Sequence, residues 1–288
     1  MRRCFRLLSV LCAALLLTGC STVRLSYDNA DSLVRWWIDQ YVELSPEQDE
    51  LVRERLTRFH AWHRQTQLSE YIRLVRQGQE FVAGQPTPGD ALTLADGIIH
   101  AGMTLAEQAA PDIADLLLTA TPDQIARAAS RFKRNDAAYA REVRLADGEG
   151  GQHDAQFKRQ LERAEYWFGE FSDDQRLALR KLVAGQPPAT RFWYDERLRR
   201  QRDWLALMRL VQRQHPPRER IVQLLREYAA HFDLPNDPAR LTQARALRRN
   251  SATLLVAIHA MTTPGQRAHA RHKLGDLIND FTALSRGE

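Results

Sequence analysis

The fold of this chain is decided by a four-residue pattern that first occurs as Ser45-Pro46-Glu47-Gln48. A serine or threonine three residues before a glutamine is the capping box of an α-helix. The hydroxyl accepts the N–H of the third helical residue, and the glutamine side chain accepts the N–H of the capping residue. Proline fits the first helical position because that N–H needs no helical partner. The pattern therefore predicts that a helix begins at Ser45.

The same box recurs at Thr121-Pro122-Asp123-Gln124, Ser172-Asp173-Asp174-Gln175 and Thr263-Pro264-Gly265-Gln266. Apolar residues between the boxes recur at helical spacing, and no stretch shows sustained alternation of apolar and polar residues. Short joints rich in proline and glycine separate the helical segments. We therefore predict an all-α fold, a multi-helix assembly of antiparallel helical hairpins.

The positions of proline and glycine set the expected helix boundaries in the first part of the chain. Residues 25–29 are predicted to be a linker, and one helix is predicted from residue 45 to about residue 83. Pro111 suits the first turn of a helix, so we expect two helices, at about 90–109 and 112–120.

The boxes and the aromatic residues occur in two similar sets. Trp36 and Trp37 precede the first box and Trp62 follows it, while Trp167 precedes the box at Ser172 and Trp193 follows it. This order suggests two related helical halves. The predicted organisation is a signal peptide (1–19), a lipidated tether (20–29), an N-terminal half (30–147), a glycine-rich hinge (148–153) and a C-terminal half (154–288).

The first twenty residues are typical of a bacterial lipoprotein precursor. Arg2, Arg3 and Arg6 precede an apolar run over residues 7–17, which is too short to cross a bilayer. The next tetrapeptide, Leu17-Thr18-Gly19-Cys20, resembles the lipobox, in which the cysteine becomes the first mature residue and carries covalent lipid. We expect lipidation at Cys20, anchoring through several acyl chains and no other cofactor.

Ser21 follows the lipidated cysteine, where an aspartate would favour retention in the inner membrane of Gram-negative bacteria. The expected location is the outer membrane facing the periplasm, with the periplasmic face of the inner membrane as the alternative. Loss of the three signal arginines lowers the formal charge from +5 to about +2. Nucleic acid is not an expected partner, because the periplasm lacks it. The expected partner besides the membrane is an envelope protein, glycan or lipid.

The order of these segments resembles the DUF6279 family of Gram-negative lipoproteins of unknown function. The resemblance is carried by Leu25-Ser26-Tyr27-Asp28-Asn29-Ala30-Asp31, residues 36–41 and 44–48, Trp62-His63-Arg64-Gln65-Thr66-Gln67-Leu68, and Arg159-Gln160-Leu161-Glu162-Arg163 with Trp167 and Gly169. It extends over nearly the whole mature chain. It implies a lipoprotein with a helical fold and no assigned catalytic activity.

The capping boxes are also similar to the LTxxQ motif of the Spy and CpxP periplasmic stress proteins, which are helical chaperone-like binders. Only the first box has the leading leucine, Leu44, and that box has serine in place of threonine. This similarity implies an alternative function as a chaperone-like holdase.

Aromatic residues beside arginines form the candidate binding surface of the chain. Such groups suit peptides, glycans or lipid headgroups when they are exposed, whereas most aromatic residues lie in protein cores. The candidate residues are Trp36, Trp37, Tyr41, Trp62, His63, Arg64, Trp167 and Trp193.

No complete catalytic motif is present: the sequence has no glycine-rich phosphate loop, HExxH or GxSxG. His60 and His63 lie one helical turn apart and are the candidates for a metal site, although placement in a core or interface is the alternative. We therefore expect a non-catalytic binding or scaffolding lipoprotein, with a metal-dependent envelope enzyme as the further alternative.

Overall fold

The computed structural model describes residues 22–287, and this part of the chain contains helices and no strands. The all-α prediction is confirmed. The predicted signal peptide and Cys20 lie outside the described residues. The helices are α1 (Thr22–Asp28), α2 (Ala30–Val42), α3 (Pro46–Thr66), α4 (Leu68–Ala83), α5 (Pro88–Leu118), α6 (Pro122–Glu142), α7 (Gly148–Phe168), α8 (Asp173–Ala184), α9 (Thr190–Gln214), α10 (Arg218–Ala230), α11 (Pro238–Ala260) and α12 (Pro264–Arg286).

All four predicted capping boxes are formed. Each serine or threonine hydroxyl accepts the third helical N–H, and each glutamine side chain accepts the N–H of the capping residue, at the starts of α3, α6, α8 and α12. A fifth box, which the Ser/Thr-x-x-Gln pattern does not include, joins Thr87 to Asp90 at the start of α5. These starts depend on neighbouring residues, which explains why the sequence predicts them well.

The predicted linker at residues 25–29 is wrong, because residues 22–28 form α1. An isolated helix of this length is unstable in water, so contacts with the rest of the molecule must stabilise it. Arg24 pairs with Asp280 of α12 at 3.0 Å, and the Tyr27 hydroxyl is 2.8 Å from Nδ1 of His63.

The single helix predicted from Ser45 to Ala83 is also wrong, because it is divided at Gln67 into α3 and α4. Leu68, the first residue of α4, is completely buried. Burial of this side chain against other helices is a long-range contact, and the helical periodicity on either side does not reveal it.

The two helices predicted around Pro111 are instead one continuous helix, α5. A proline inside a helix costs about 3 kcal/mol because it removes a hydrogen bond and crowds the preceding turn. Ala110 and Ala114 on either side are buried in a cluster with Ile221 and Leu225 of α10. This packing offsets the local cost and keeps the helix continuous.

The glycine-rich segment that was predicted as a hinge lies mostly in the first turn of α7. Gly148 has a φ of 67°, which favours glycine. The amide of Gln152 donates to the Leu145 carbonyl at 3.1 Å and joins the new helix to the preceding turn. Movement about this segment stays a prediction.

The four boxes meet in two pairs. In the first junction, the Gln48 amide donates to Gln124 Oε1 at 3.2 Å and to the Thr119 carbonyl at 3.0 Å. The Gln124 amide donates to Gln48 Oε1 at 2.5 Å and to the Glu43 carbonyl at 3.1 Å. Each glutamine thus caps its own helix and also binds the backbone ahead of the other helix.

The second junction repeats this pattern. The Gln175 amide donates to Gln266 Oε1 and to the Met261 carbonyl, both at 2.8 Å. The Gln266 amide donates to Gln175 Oε1 at 3.1 Å and to the Glu170 carbonyl at 2.8 Å. In both junctions each accepting carbonyl lies two residues before the opposite capping residue.

The helices around the junctions form two units with the same arrangement. In the first unit α2 packs against α3 and α6, and α3 packs against α5. In the second unit α7 packs against α8 and α12, and α8 packs against α11. We define α2, α3, α5 and α6 as the first unit, and α7, α8, α11 and α12 as the second. That the units arose by duplication stays a prediction.

Each unit contains an insertion that packs against the other unit. The insertion in the first unit is α4, which packs mainly against α12 of the second unit. The insertion in the second unit is α9 with α10, which pack against α6 and α5 of the first unit. The two halves of the sequence are therefore interleaved in space, and the largest packing surfaces join one half to the other.

Candidate binding cavity

The first cavity lies between α2, α5 and α6 of the first unit and the inserted helices α9 and α10, and has a volume of about 570 Å³. This volume is within the range of cavities that bind small molecules in proteins. The side chains that line it are mostly apolar: Trp37, Ile38, Tyr41, Val42, Leu44, Gln48, Ile113, Leu116, Leu117, Ala120, Gln124, Ala128, Phe132, Arg197, Arg200, Gln201, Trp204, Met208, Tyr228 and Phe232.

Aromatic rings line two walls of the first cavity. On the wall formed by α2 and α6, the Tyr41 ring lies 4.8 Å from that of Trp37 and 5.4 Å from that of Phe132, between ring centroids. On the opposite wall, the Tyr228 ring lies 5.5 Å from Trp204 and 6.0 Å from Phe232. Rings held in contact at these distances present stiff apolar surfaces to a ligand.

Arg200 is a half-buried cation in this apolar lining. Its guanidinium lies 4.9 Å from the centre of the Phe232 ring and donates to the Phe232 carbonyl at 3.2 Å. Among residues 22–287 no carboxylate lies within 4.0 Å of it. Burial, followed by the charge of neighbouring Arg199, lowers the pKa of Arg200, but arginine stays charged at physiological pH. The group is therefore an available partner for an anion.

The other polar groups of the first cavity have partners. Arg197 Nε donates to Asp136 Oδ1 at 2.7 Å, and the Gln201 amide donates to the same oxygen at 2.9 Å. The Tyr228 hydroxyl donates to the Arg200 carbonyl at 3.2 Å, and burial raises the pKa of Tyr228 to about 12. Arg200 is thus the cation of this lining that has no ion-pair partner in the described part of the chain.

The second cavity lies between the second unit and helices α4 and α5 of the first half of the chain, and has a volume of about 610 Å³. Its lining contains no charged side chain: it consists of Tyr71, Leu74, Val75, Gly78, Phe81, Val82, Leu94, Ile98, Ala101, Gly102, Leu105, Trp167, Phe168, Leu255, Ala270, Leu274, Leu277 and Phe281. The helices α4 and α5 cover it, as α9 and α10 cover the first cavity.

The linings of the two cavities share equivalent positions when residues are counted from the capping boxes. Tyr41 and Phe168 each lie four residues before a cap, Ala128 and Ala270 seven residues after one, and Phe132 and Leu274 eleven residues after one. The first member of each pair lines the first cavity and the second member lines the second. The two cavities therefore occupy related faces of the two units.

The structure does not bring the sequence-predicted surface residues together at one site. Trp37 and Tyr41 line the first cavity, and Trp167 lines the second. Trp193 packs beside the small buried cluster around Phe192. Trp36, with 61% of its surface exposed, lines neither cavity.

His63 and Arg64 contact α1, whereas Trp62 packs against Phe59 and His63 of its own helix. The Trp62 and His63 ring centroids are 6.4 Å apart, and Arg64 pairs with Asp28 at 3.2 Å. Arg64 also lies 5.4 Å from the centre of the Tyr27 ring. His63 and Arg64 therefore contribute to the attachment of α1.

His60 and His63, the candidate metal ligands, make separate contacts. His63 is hydrogen-bonded through Nδ1 to Tyr27 at 2.8 Å and through Nε2 to Tyr71 at 3.0 Å. His60 Nδ1 lies 3.1 Å from Asp31 Oδ1. Within residues 22–287, no three His, Cys, Asp or Glu side chains are grouped as a metal site requires.

The sequence did not identify the residues of α6, α9 and α10 that complete the first cavity. Phe132 and Arg200 are separated by 68 positions, and no local pattern joins them. Trp204, Tyr228 and Phe232 resemble ordinary core residues of amphipathic helices in the sequence. The one local signal is the aromatic content of α9, where Trp193, Tyr194 and Trp204 indicate an aromatic cluster in the sequence.

The model of the family of unknown function DUF6279 matches residues 40–232, about two thirds of the chain. This chain belongs to the DUF6279 family. The match is shorter than the resemblance expected from the sequence. It includes every residue that lines the first cavity except Trp37 and Ile38, whereas Leu255, Ala270, Leu274, Leu277 and Phe281 of the second cavity lie beyond it. The DUF6279 region therefore contains nearly the whole first cavity.

No curated protein and no solved structure matches this DUF6279 chain. In residues 22–287, none of the helices combines the length and the apolar character that crossing a membrane requires.

Proposed function

We propose that this DUF6279 protein is a non-catalytic lipoprotein, anchored through Cys20 at the periplasmic face of the outer membrane, that binds an amphipathic anion in the first cavity. The ligand has an elongated apolar body and a carboxylate or phosphate group. The observation that supports this most directly is Arg200, a half-buried cation without a carboxylate partner in the described residues, in a lining that is mostly apolar. The anchor is supported by the signal and lipobox pattern of residues 1–20.

The aromatic walls suit the apolar body of such a ligand. Burial of each CH₂ group contributes about 0.8 kcal/mol, so an acyl chain gains affinity along its length. The anionic group would accept hydrogen bonds from Arg200, as carboxylates and phosphates commonly do from arginine. The apolar lining and the single available cation therefore favour an amphiphile over a glycan, which needs many polar partners.

The alternatives from the sequence have less support from the geometry. The glutamines that carry the similarity to the LTxxQ motif are hydrogen-bonded inside the two junctions. Both ring nitrogens of His63 are hydrogen-bonded to tyrosine hydroxyls. Neither set of contacts favours a holdase surface or a metal-dependent enzyme.

Binding of cis-parinaric acid, a fluorescent fatty acid, tests the proposal on the unlipidated protein over residues 22–288. We expect saturable binding to the wild type. Arg200→Met keeps the apolar stem but removes the charge, and should weaken binding by roughly 10–100-fold, because hydrogen bonds to charged groups contribute about 1.5–3 kcal/mol. Arg202→Met is the matched control, since Arg202 is exposed on the same helix and does not line the cavity.

The corresponding alcohol, parinaryl alcohol, separates the charge effect from general loss of apolar binding. Its affinity should be similar for the wild type and Arg200→Met. An equal loss of affinity for the acid and the alcohol would contradict the role of Arg200. Absence of saturable binding of either probe would contradict the proposed cavity function.

A further inference from the structure

Four exposed apolar side chains lie near the N-terminal end of the described chain. Leu25 is 62% exposed, Leu33 51%, Trp36 61% and Trp37 56%. We define these four residues as the N-terminal apolar patch. The other large exposed apolar residues of the described chain, apart from neighbouring Val34, are spread over α5, α7, α8, α11 and the turn after α10. Clustered exposed apolar side chains mark an interaction surface, whereas scattered ones do not.

The patch is held in a defined position on the molecule. Leu33, Trp36 and Trp37 are three and four residues apart on α2, so they share one face of that helix. Leu25 is on α1, which is attached to the rest of the protein by Arg24–Asp280 at 3.0 Å. These contacts fix the direction in which the patch is presented.

The position of the patch in the chain favours a membrane as its partner. Helix α1 begins at Thr22, two residues after Cys20. Even an extended chain spans at most about 3.6 Å per residue, so lipid attached to Cys20 would hold α1 within about 7 Å of the bilayer surface. Tryptophan is enriched at the interface between membranes and water, where its ring meets both apolar and polar groups.

We propose that the N-terminal apolar patch inserts into the interfacial region of the membrane that carries the lipid anchor. This inference rests on the proposed anchor at Cys20 but not on ligand binding in the cavity. The covalent lipid attaches the protein, and the patch sets its orientation. Since Trp37 also lines the first cavity, insertion would place one edge of that cavity at the bilayer, where amphipathic anions partition.

The test uses the full lipidated protein, reconstituted in vesicles of phosphatidylethanolamine and phosphatidylglycerol that contain a brominated phosphatidylcholine. Bromine in the upper part of the acyl chains quenches tryptophans that enter the bilayer. The wild type should lose up to about a third of its tryptophan emission, the share of two tryptophans among six. The Trp36→Phe/Trp37→Phe variant should lose this quenching, because phenylalanine keeps the apolar contact without the fluorescence.

Trp193→Phe is the matched control and should leave the quenching in place, since Trp193 packs beside a buried cluster of α9 and α11. Flotation of the protein with the vesicles is measured in the same samples. If the protein floats but its quenching is absent, or is the same with and without Trp36 and Trp37, insertion of the N-terminal apolar patch is contradicted and the anchor is not. A protein that does not float would contradict the anchor and, with it, the docking.

Discussion

The two cavities lie on related faces of the two units, yet one contains an available cation and the other contains no charged residue. The junctions that organise the two units use the same hydrogen bonds, so the scaffold does not cause this difference. Arg200 comes from α9, an insertion of the second unit, whereas α4 and α5 cover the second cavity with apolar residues. The comparison shows that equivalent positions around the junctions line both cavities, and that the helices contributed by the other half of the chain determine the chemistry of each cavity.

The largest expected difference in stability between the two units is at the residue that immediately precedes the first capping residue of each unit. Phe171 is 2% exposed in the core of the second unit, whereas Leu44 in the first unit borders the open first cavity. Phe171→Ala should lower the free energy of unfolding by about 3–5 kcal/mol. Leu44→Ala should lower it by about 1 kcal/mol, because less apolar surface loses its packing. Urea unfolding followed by circular dichroism measures both, and equal losses would contradict the proposed contrast in packing.

Substitutions in the two glutamine junctions should differ less in their effect on the free energy of unfolding. Gln48 and Gln124 are buried, whereas Gln175 and Gln266 are partly exposed. Gln48→Ala should lower the free energy of unfolding by about 2–3 kcal/mol, since it removes the hydrogen bonds that Gln48 makes to buried Gln124 and to the Thr119 carbonyl. Gln175→Ala should cost about 1 kcal/mol, because water can reach the groups that it leaves.

The same urea experiment measures the glutamine variants, with exposed Gln223→Ala on α10 as a control that should leave stability unchanged. A larger loss for Gln175→Ala than for Gln48→Ala would reverse the expected order. It would show that local capping, which the two junctions share, outweighs their different burial.

The smallest expected effect is a pH dependence of the folding stability that arises from His63, near the second cavity. Burial, followed by the charge of His60, lowers the pKa of His63 from 6.5. Tyr71, which is hydrogen-bonded to His63, lines the second cavity. The unfolded chain takes up a proton at His63 near pH 6.5, and the folded chain does so only at lower pH. The stability that depends on neutral His63 is therefore fully present above pH 6.5 and is lost as the pH falls towards the pKa of His63 in the folded protein.

Urea midpoints measured above and below pH 6.5 should differ more for the wild type than for His63→Gln, which cannot titrate. His272→Gln is the control, because His272 is exposed and pairs with Asp276 on its own helix. An unchanged pH dependence in His63→Gln would show that other groups, such as the buried carboxylates, control the acid response.

The accuracy of the sequence prediction follows the range of the interactions involved. The capped starts of α3, α6, α8 and α12 depend on residues within one turn and were confirmed. The break at Gln67 and the continuous helix through Pro111 were missed because both depend on packing against distant helices. Two predicted surface residues, Trp37 and Tyr41, line the first cavity, but Arg200 was not anticipated.

The all-α class and the capped helix starts could be read from the sequence, because neighbouring residues encode them. The lipid anchor is a prediction from a similarly local signal. The pairing of the boxes, the way each half covers the other and the positions of the cavities are visible only in the folded molecule. Gln48 contacts Gln124, and Trp37 and Arg200 line the same cavity, although each pair is far apart in the chain. Such contacts form when apolar helix faces are buried together, and no local pattern records which faces will meet.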